Sequence, residues 1–341
     1  MTLRVLVLLS VSLAVMTGPP SAAVGPRATP HSREAVVMGT RVALTTYAAT
    51  RALGLQRLEH MLEVLEDAEA QLSTWRPDSE VSRLNAAAGR GPQRLTAATC
   101  RLLSDVERQV TETGGAFDPA IGALIQAWDL HGAGRVPSNT ALAAARERSG
   151  WHLVRLDRDT CTLAMPAGAS IDVGAFGKGE GLDRVRAEVR DAEPWLIDLG
   201  GQVGVSGVPP NGGGWPVSIA HPRDRGRPAV SLSMTEGSLS TSAGSERDLR
   251  VSGRRVGHVL DPRTGAPALF DGSVTVWSQQ ALVADALSTA LYTLGSDAGI
   301  RWADAHDVAA LFLEVALNGT LSRHSSKAFA RRFGQRVHSR E

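Results

Sequence analysis

Ser170-Ile171-Asp172-Val173-Gly174 and Trp195-Leu196-Ile197-Asp198-Leu199-Gly200 carry the same apolar-Asp-apolar-Gly phrase. Each reads as a short strand that brings an Asp to its end, with a glycine behind it to make the turn. Two such ends either coincide by chance or deliver polar groups to a single cleft. Outward from this pair, alternation and short apolar runs predict strands over 160–165, 170–173, 195–199, 216–220, 229–234, 256–260, 273–277 and 309–315. Helices over 179–191 and 280–294 interrupt them. Upstream, 41–47 alternates like a strand. Leu58, Met61, Leu62, Leu65, Ala68 and Leu72 recur at helical spacing and predict a helix over 50–72. A second helix follows Thr96, with Gly114-Gly115 as its stop, and Ser138 can cap a third. Runs of strands without regular βαβ alternation predict an α+β fold with mixed, largely antiparallel sheets and packed helices.

Of the 341 residues, 43% are apolar and 21% charged, which supports a sizeable core and excludes a disordered, collagenous or coiled-coil chain. A net charge of +1 and an aromatic content of 4% argue against a nucleic-acid partner. Cys100 is expected in a helix and Cys161 in a strand; two cysteines make no scaffold or Cys-rich metal site, and two buried free thiols are expected, with pairing in an oxidising compartment as the alternative. At the N-terminus, a positive start at Arg4 precedes an apolar run over 5–16 and the breakers Pro19-Pro20-Ser21-Ala22-Ala23. Residues 1–23 therefore read as a secretory signal, with an apolar run too short for a spanning helix; an N-terminal anchor that is never cleaved is the alternative. The expected organisation is a flexible lead-in over 24–34, one catalytic domain over 35–326, and a basic tail over 327–341. That tail, with Arg331, Arg332, Arg336 and Arg340, reads as a solvated end that could meet a membrane surface. The mature chain is expected in the periplasm or another extracytoplasmic space, without an integral span.

Several familiar signatures are absent. The run from Gly174 to Gly179 lacks the spacer and the Ser/Thr of a Walker loop, and there is no His-Glu-x-x-His or Gly-x-Ser-x-Gly. The nine His residues show no zinc spacing. In Ala284-Asp285-Ala286-Leu287-Ser288-Thr289, Asp285 and Thr289 share one face of an apolar helix. A carboxylate and a hydroxyl there need a partner. One reading supplies a hard cation with oxygen ligands. The other gives Asp285 a basic side chain and lets Thr289 bond back to its own helix.

The order of further motifs decides what the chain resembles: Met38-Gly39-Thr40, the block from Ser73 to Asn85, Gly115–Asp118, Ile171–Gly179, Ile197–Gly201 with His258–Gly265, and Ala284–Thr289. In this order the sequence resembles the FAD:protein FMN transferases, the ApbE-like flavin transferase family, from Met38 to about Ser326. The resemblance implies a single ApbE-like, T-fold-related domain. It also implies a reaction in which the FMN half of FAD passes to a Thr or Ser of an exported acceptor flavoprotein, with release of AMP. By motif position, Met38 and Trp75 are expected on the flavin or adenine rings, and Ala116, Phe117 and Asp118 along the nucleotide cleft. Asp172 and Lys178 are expected to bind FAD, with Leu260 beside it. The resemblance further implies Mg²⁺ held by Asp285, Thr289 and the carbonyl of Ala175.

An acceptor hydroxyl needs a base, and His258 is the best candidate because imidazole titrates near neutrality. Asp261 or Asp118 could orient or replace it. The chain departs from the family at Gly177, where relatives carry Ala, and at Ala243 and Ser245, where they carry Gly and an aromatic. It also has Ser288 where some members offer a second metal carboxylate. Two other activities use the same site: an FAD pyrophosphatase giving FMN and AMP, and an FAD-binding or delivery protein without turnover.

Overall fold

The computed structural model describes residues 28–334 except 190–193, 245–247, 252 and 317. The signal segment, Ser245, Glu246, Arg247, Arg336 and Arg340 lie outside the described residues. The centre is an eight-stranded sheet. Its spatial order is Thr29–Val37, Thr40–Ala48, Trp195–Leu199, Gln202–Ser206, Glu236–Ala243, Gly272–Ser278, Ala309–Val315 and Leu321–Ser325. Every neighbouring pair in it is antiparallel. The expected α+β class is the observed one.

Side-chain alternation assigns the two faces. Val274, Val276, Ala310 and Phe312 point to one face and bury Leu287, Leu291 and Tyr292 of a long helix. Their neighbours Leu311 and Leu313 point to the other, against a hairpin of Trp215–His221 and Asp224–Met234. The helices are α1 (Arg51–Leu72), α2 (Glu80–Ala86), α3 (Ala97–Glu112), α4 (Gly122–Trp128), α5 (Asn139–Arg146), α6 (Gly177–Glu188), α7 (Ala281–Ala305) and α8 (Lys327–Phe333). Leu58, Met61 and Leu65 of α1 and Leu182 and Val185 of α6 cover Val42, Leu44 and Ile197. A further core joins α2 and α3 to α7 through Leu84, Leu103, Phe117, Phe176, Leu282 and Ala286. Thr96 and Ser138 cap α3 and α5 as expected, each accepting a backbone N–H three residues on. Gly295, at φ +72°, breaks the helical path of α7, so its first part ends where the apolar pattern predicted.

Five expectations give way. The lead-in is no loop beyond residue 28: Thr29–Val37 is an edge strand paired along its length with Thr40–Ala48. The tail begins as α8, which buries Phe329 and Phe333. Residues 170–173 form no strand. Their backbone is satisfied instead by Asn85, which accepts from Ile171 N–H and donates to its carbonyl, both at 2.8 Å, and by Pro119, which accepts from Asp172 N–H. Residues 256–260 hold the end of one short strand and the start of another, with an irregular step at His258 between them. Finally, Cys100 and Cys161 are not free thiols but a disulfide, with Cα atoms 5.6 Å apart. Cys161 lies in a turn at φ +48°, ahead of the strand Thr162–Ala164, and that turn faces α3.

Candidate active site

Asp285 is 3% exposed at the start of α7, where α6 crosses it. Ser240 Oγ donates to its Oδ1 at 3.0 Å, and Gly179 N–H donates to its Oδ2 at 3.2 Å. Lys178 Nζ stands 3.4 and 3.5 Å from the two oxygens and 3.5 Å from the Gly174 carbonyl. Thr289 donates to the Asp285 carbonyl at 3.3 Å, and its hydroxyl lies 3.4 Å from that of Ser242. Ser288 closes the ring, 2.9 Å from Ser242 and 3.3 Å from Ser240. Asp285, Thr289 and Lys178 are thus brought together. Both contacts of the cation-free reading, a basic partner and a bond back to the helix, are present. Ala175 lies in the turn directly before α6.

Ser240 and Ser242 were not anticipated. They alternate with Leu239 and Thr241 on Glu236–Ala243, so one face of a central strand is polar just where it meets α7. That alternation is the signal in the sequence. The donor set is hard throughout: one carboxylate, hydroxyls and a carbonyl. Among the described residues no group of three or more His, Cys, Asp or Glu could hold a metal. An ion here would rest on one acid, neutral oxygens and its substrate's phosphates, a pattern that suits Mg²⁺.

Upstream of α6, Asp172 lines a cleft of about 320 Å³ together with Thr74, Asn85 and His131. Its Oδ1 accepts from Gly174 N–H at 2.8 Å, and its Oδ2 lies 3.7 Å from His131 Nε2. Trp75, 71% exposed, stacks at a tilt on His131 with ring centroids 4.6 Å apart. A large exposed ring at a cleft edge offers a surface for a flat heterocycle. His131 is a further residue that the sequence did not single out. Met38, at φ +54° in the two-residue hairpin turn with Gly39, lays its side chain along Gly177 and Gly181 of α6.

His258 presents Nδ1 to Asp248 Oδ1 at 3.0 Å, and the same oxygen accepts the His258 backbone N–H at 3.0 Å. The carboxylate partner of His258 is therefore neither Asp261 nor Asp118. Asp261 is gripped by Arg263, whose Nε and a terminal nitrogen reach its two oxygens at 2.8 and 2.9 Å, and this raises the Arg263 pKa. Asp118 accepts from Ala120 N–H at 2.9 Å and Trp151 N–H at 2.7 Å. Burial pushes its carboxyl pKa up, against the pull of those two amides. Ala116 and Phe117 are 0% and 1% exposed and Leu260 is 3% exposed, packed with Leu124 and Trp128. Their side chains belong to the core, so any contact of theirs with a nucleotide runs through the backbone.

Among known proteins, the FAD:protein FMN transferase of Treponema pallidum is 31% identical over 310 residues, which cover 84% of this chain and 85% of that protein. The protein of the same name from Klebsiella pneumoniae is 32% identical over 276 residues, covering 79% and 84%. The solved ApbE protein of Thermotoga maritima shares the fold at a TM-score of 0.81 and 26% identity, over 92% of this chain and 100% of that one. The flavin transferase ApbE of Vibrio cholerae gives 0.78 at 26% identity, over 90% and 99%. The model of the ApbE family matches residues 38–312, the stretch that holds the whole ring around Asp285, the Asp172 cleft and the His258–Asp248 pair: the chain belongs to the ApbE family.

Proposed function

We propose that this chain is a Mg²⁺-dependent FAD:protein FMN transferase acting on a Thr or Ser of an exported flavoprotein. The observation that carries the reading is the buried Asp285, ringed by hydroxyls and faced by Lys178 at the glycine-rich start of α6. FAD presents a dianionic pyrophosphate. In the reaction, the acceptor oxygen forms a bond to the flavin-side phosphorus and the bond from that phosphorus to the bridging oxygen breaks. AMP leaves with that oxygen, and the hydroxyl proton passes to His258.

Asp285, Thr289 and the Ala175 carbonyl would hold Mg²⁺, which stabilises charge on the pyrophosphate oxygens. Lys178 brings a second positive group to the same phosphates. Nδ1 of His258 faces a carboxylate, which favours a proton on Nδ1 and leaves Nε2 to accept the acceptor's proton. Trp75 supplies a face for one of the FAD rings, and Asp172 and His131 supply polar groups beside it.

Export is part of the proposal. The charged, apolar and small-residue zones of residues 1–23 support it, and so does the Cys100–Cys161 bond, a feature of oxidising compartments. The test incubates the mature protein with FAD, Mg²⁺ and a Thr-containing acceptor domain and weighs the acceptor. An FMN adduct that disappears with chelator or with Asp285→Ala supports transfer. AMP without an adduct identifies a pyrophosphatase, and FAD retention with neither product identifies a carrier.

A further inference from the structure

Neither α6 nor α7 caps its own N-terminus: the N-cap residues Phe176 and Gln280 make no side-chain cap bond. Each helix is served by a carboxylate from the other. Asp183 of α6 accepts from Ala281 N–H at 2.7 Å with one oxygen and from Leu282 N–H at 2.9 Å with the other. Asp285 of α7 accepts from Gly179 N–H in return. The two helix starts touch backbone to backbone, since a Cβ on Gly179 would stand 2.5 Å from both the Ala281 oxygen and the Leu282 Cα. Gln202 Nε2 adds a bond to the Ala281 carbonyl at 2.9 Å.

We propose that Asp183 is a positioning residue for the phosphate and cation site. It grips the first two amides of α7, and Asp285 lies one turn further along the same helix. Asp183 therefore sets where the Asp285 carboxylate stands against Lys178 and Gly179, and α7 cannot turn or slide without giving up both bonds. Sites that work through oriented charge lose much of their effect when a ligand shifts by about 1 Å. The inference rests on the proposed function, which it deepens. It differs from ordinary helix capping in one respect: through Asp285 the effect of Asp183 returns to Gly179 and Lys178 and so reaches the proposed cation site.

The test compares the mature wild type with Asp183→Asn, Asp183→Glu and Glu80→Gln. Glu80 lies in a separate buried network of α1 to α3 and serves as the stability control. Mn²⁺ binding in the presence of FAD is followed by electron paramagnetic resonance, amide exchange at Gly179 by NMR, and kcat and KM for FAD by adduct formation. Asp183→Asn is expected to weaken Mn²⁺ binding roughly 10- to 100-fold, the range for residues that orient metal ligands. It should also speed exchange at Gly179 and lower kcat more than it raises KM. Asp183→Glu should recover part of each effect, and it carries the same readouts where Asp183→Asn does not fold. Glu80→Gln should keep wild-type Mn²⁺ affinity despite its loss of Tm.

If Asp183→Asn loosens only Ala281 and Leu282, with Mn²⁺ affinity and Gly179 exchange at wild-type values, Asp183 is a cap and the inference fails. If the wild type forms no adduct, the proposed function fails instead, and Mn²⁺ binding and Gly179 exchange still decide the role of Asp183.

Discussion

One oxygen of Asp248 binds His258 twice, accepting the imidazole Nδ1 and the backbone N–H, each at 3.0 Å. Side chain and backbone are thereby held together, so the ring is oriented before any substrate arrives. Because both bonds end on a single atom, an amide oxygen can replace the carboxylate oxygen in each. Asp248→Asn is expected to keep the ring in place and lose only the charge behind it, whereas Asp248→Ala loses both bonds. Turnover should therefore fall in the order wild type, Asp248→Asn, Asp248→Ala. His258→Ala should lose roughly 10²- to 10⁴-fold, the usual contribution of a positioned base. FAD affinity, read from quenching of flavin fluorescence, should stay near wild type in all three. A His258→Ala enzyme with wild-type turnover removes the imidazole as base.

The Asp285 carboxylate is buried and faced by Lys178, so removing either charge leaves the other without its partner. Asp285→Ala is expected to abolish Mg²⁺-dependent turnover. Ser288→Asp adds a carboxylate to the hydroxyl ring and should strengthen Mn²⁺ binding in the presence of FAD. Equilibrium titrations on the two variants check this, and a Ser288→Asp protein that binds the ion more weakly would show that the ring faces away from it.

What the sequence revealed followed where a residue's own periodicity carried the information. The apolar spacing of α1 and the short apolar run of Ala309–Val315 lie wholly within single elements, and the structure places them there. The strand Glu236–Ala243 was missed because its inward residues are Ser238, Ser240 and Ser242, polar where a core strand is apolar. The polarity of that face hides its secondary structure. Thr29–Val37 was missed for a related reason, since an edge strand with an exposed face and Pro30 near its start reads as a loop. The Asp248–His258 and Asp183–Ala281 contacts join separate elements, and no spacing along the chain announces them.

The Cys100–Cys161 bond closes a loop of 61 residues between α3 and the turn before Thr162–Ala164. Chain-entropy arguments give such a closure an upper contribution of about 4 kcal/mol. Thiol titration of the denatured but unreduced protein should find no free thiol, and two after reduction. Reduction, or Cys100→Ser with Cys161→Ser, is expected to lower Tm with little change in FAD affinity at 25 °C. An unchanged Tm would mean that the surrounding core holds the turn without the bond.

Glu80 carries the last prediction. It is 7% exposed and accepts from Thr99 Oγ1 at 2.6 Å, Thr96 N–H at 2.7 Å, Thr96 Oγ1 at 2.8 Å and Gln71 Nε2 at 3.0 Å. Burial acts to raise its carboxyl pKa, but these donors together outweigh it and hold the pKa below the usual glutamate value. An acid with a lowered folded pKa stabilises the protein above its unfolded pKa, and that stabilisation drains away as pH falls through the folded value. The contribution should therefore be complete at neutral pH and decline from about pH 4.3 downwards. Glu80→Gln keeps the shape but leaves donors facing an amide, and should cost about 1–3 kcal/mol at pH 7. The gap in Tm between wild type and Glu80→Gln should narrow as the acid range is entered. A gap that stays constant between pH 7 and pH 3 would show that the charge of Glu80 contributes nothing to the joint between α1, α2 and α3.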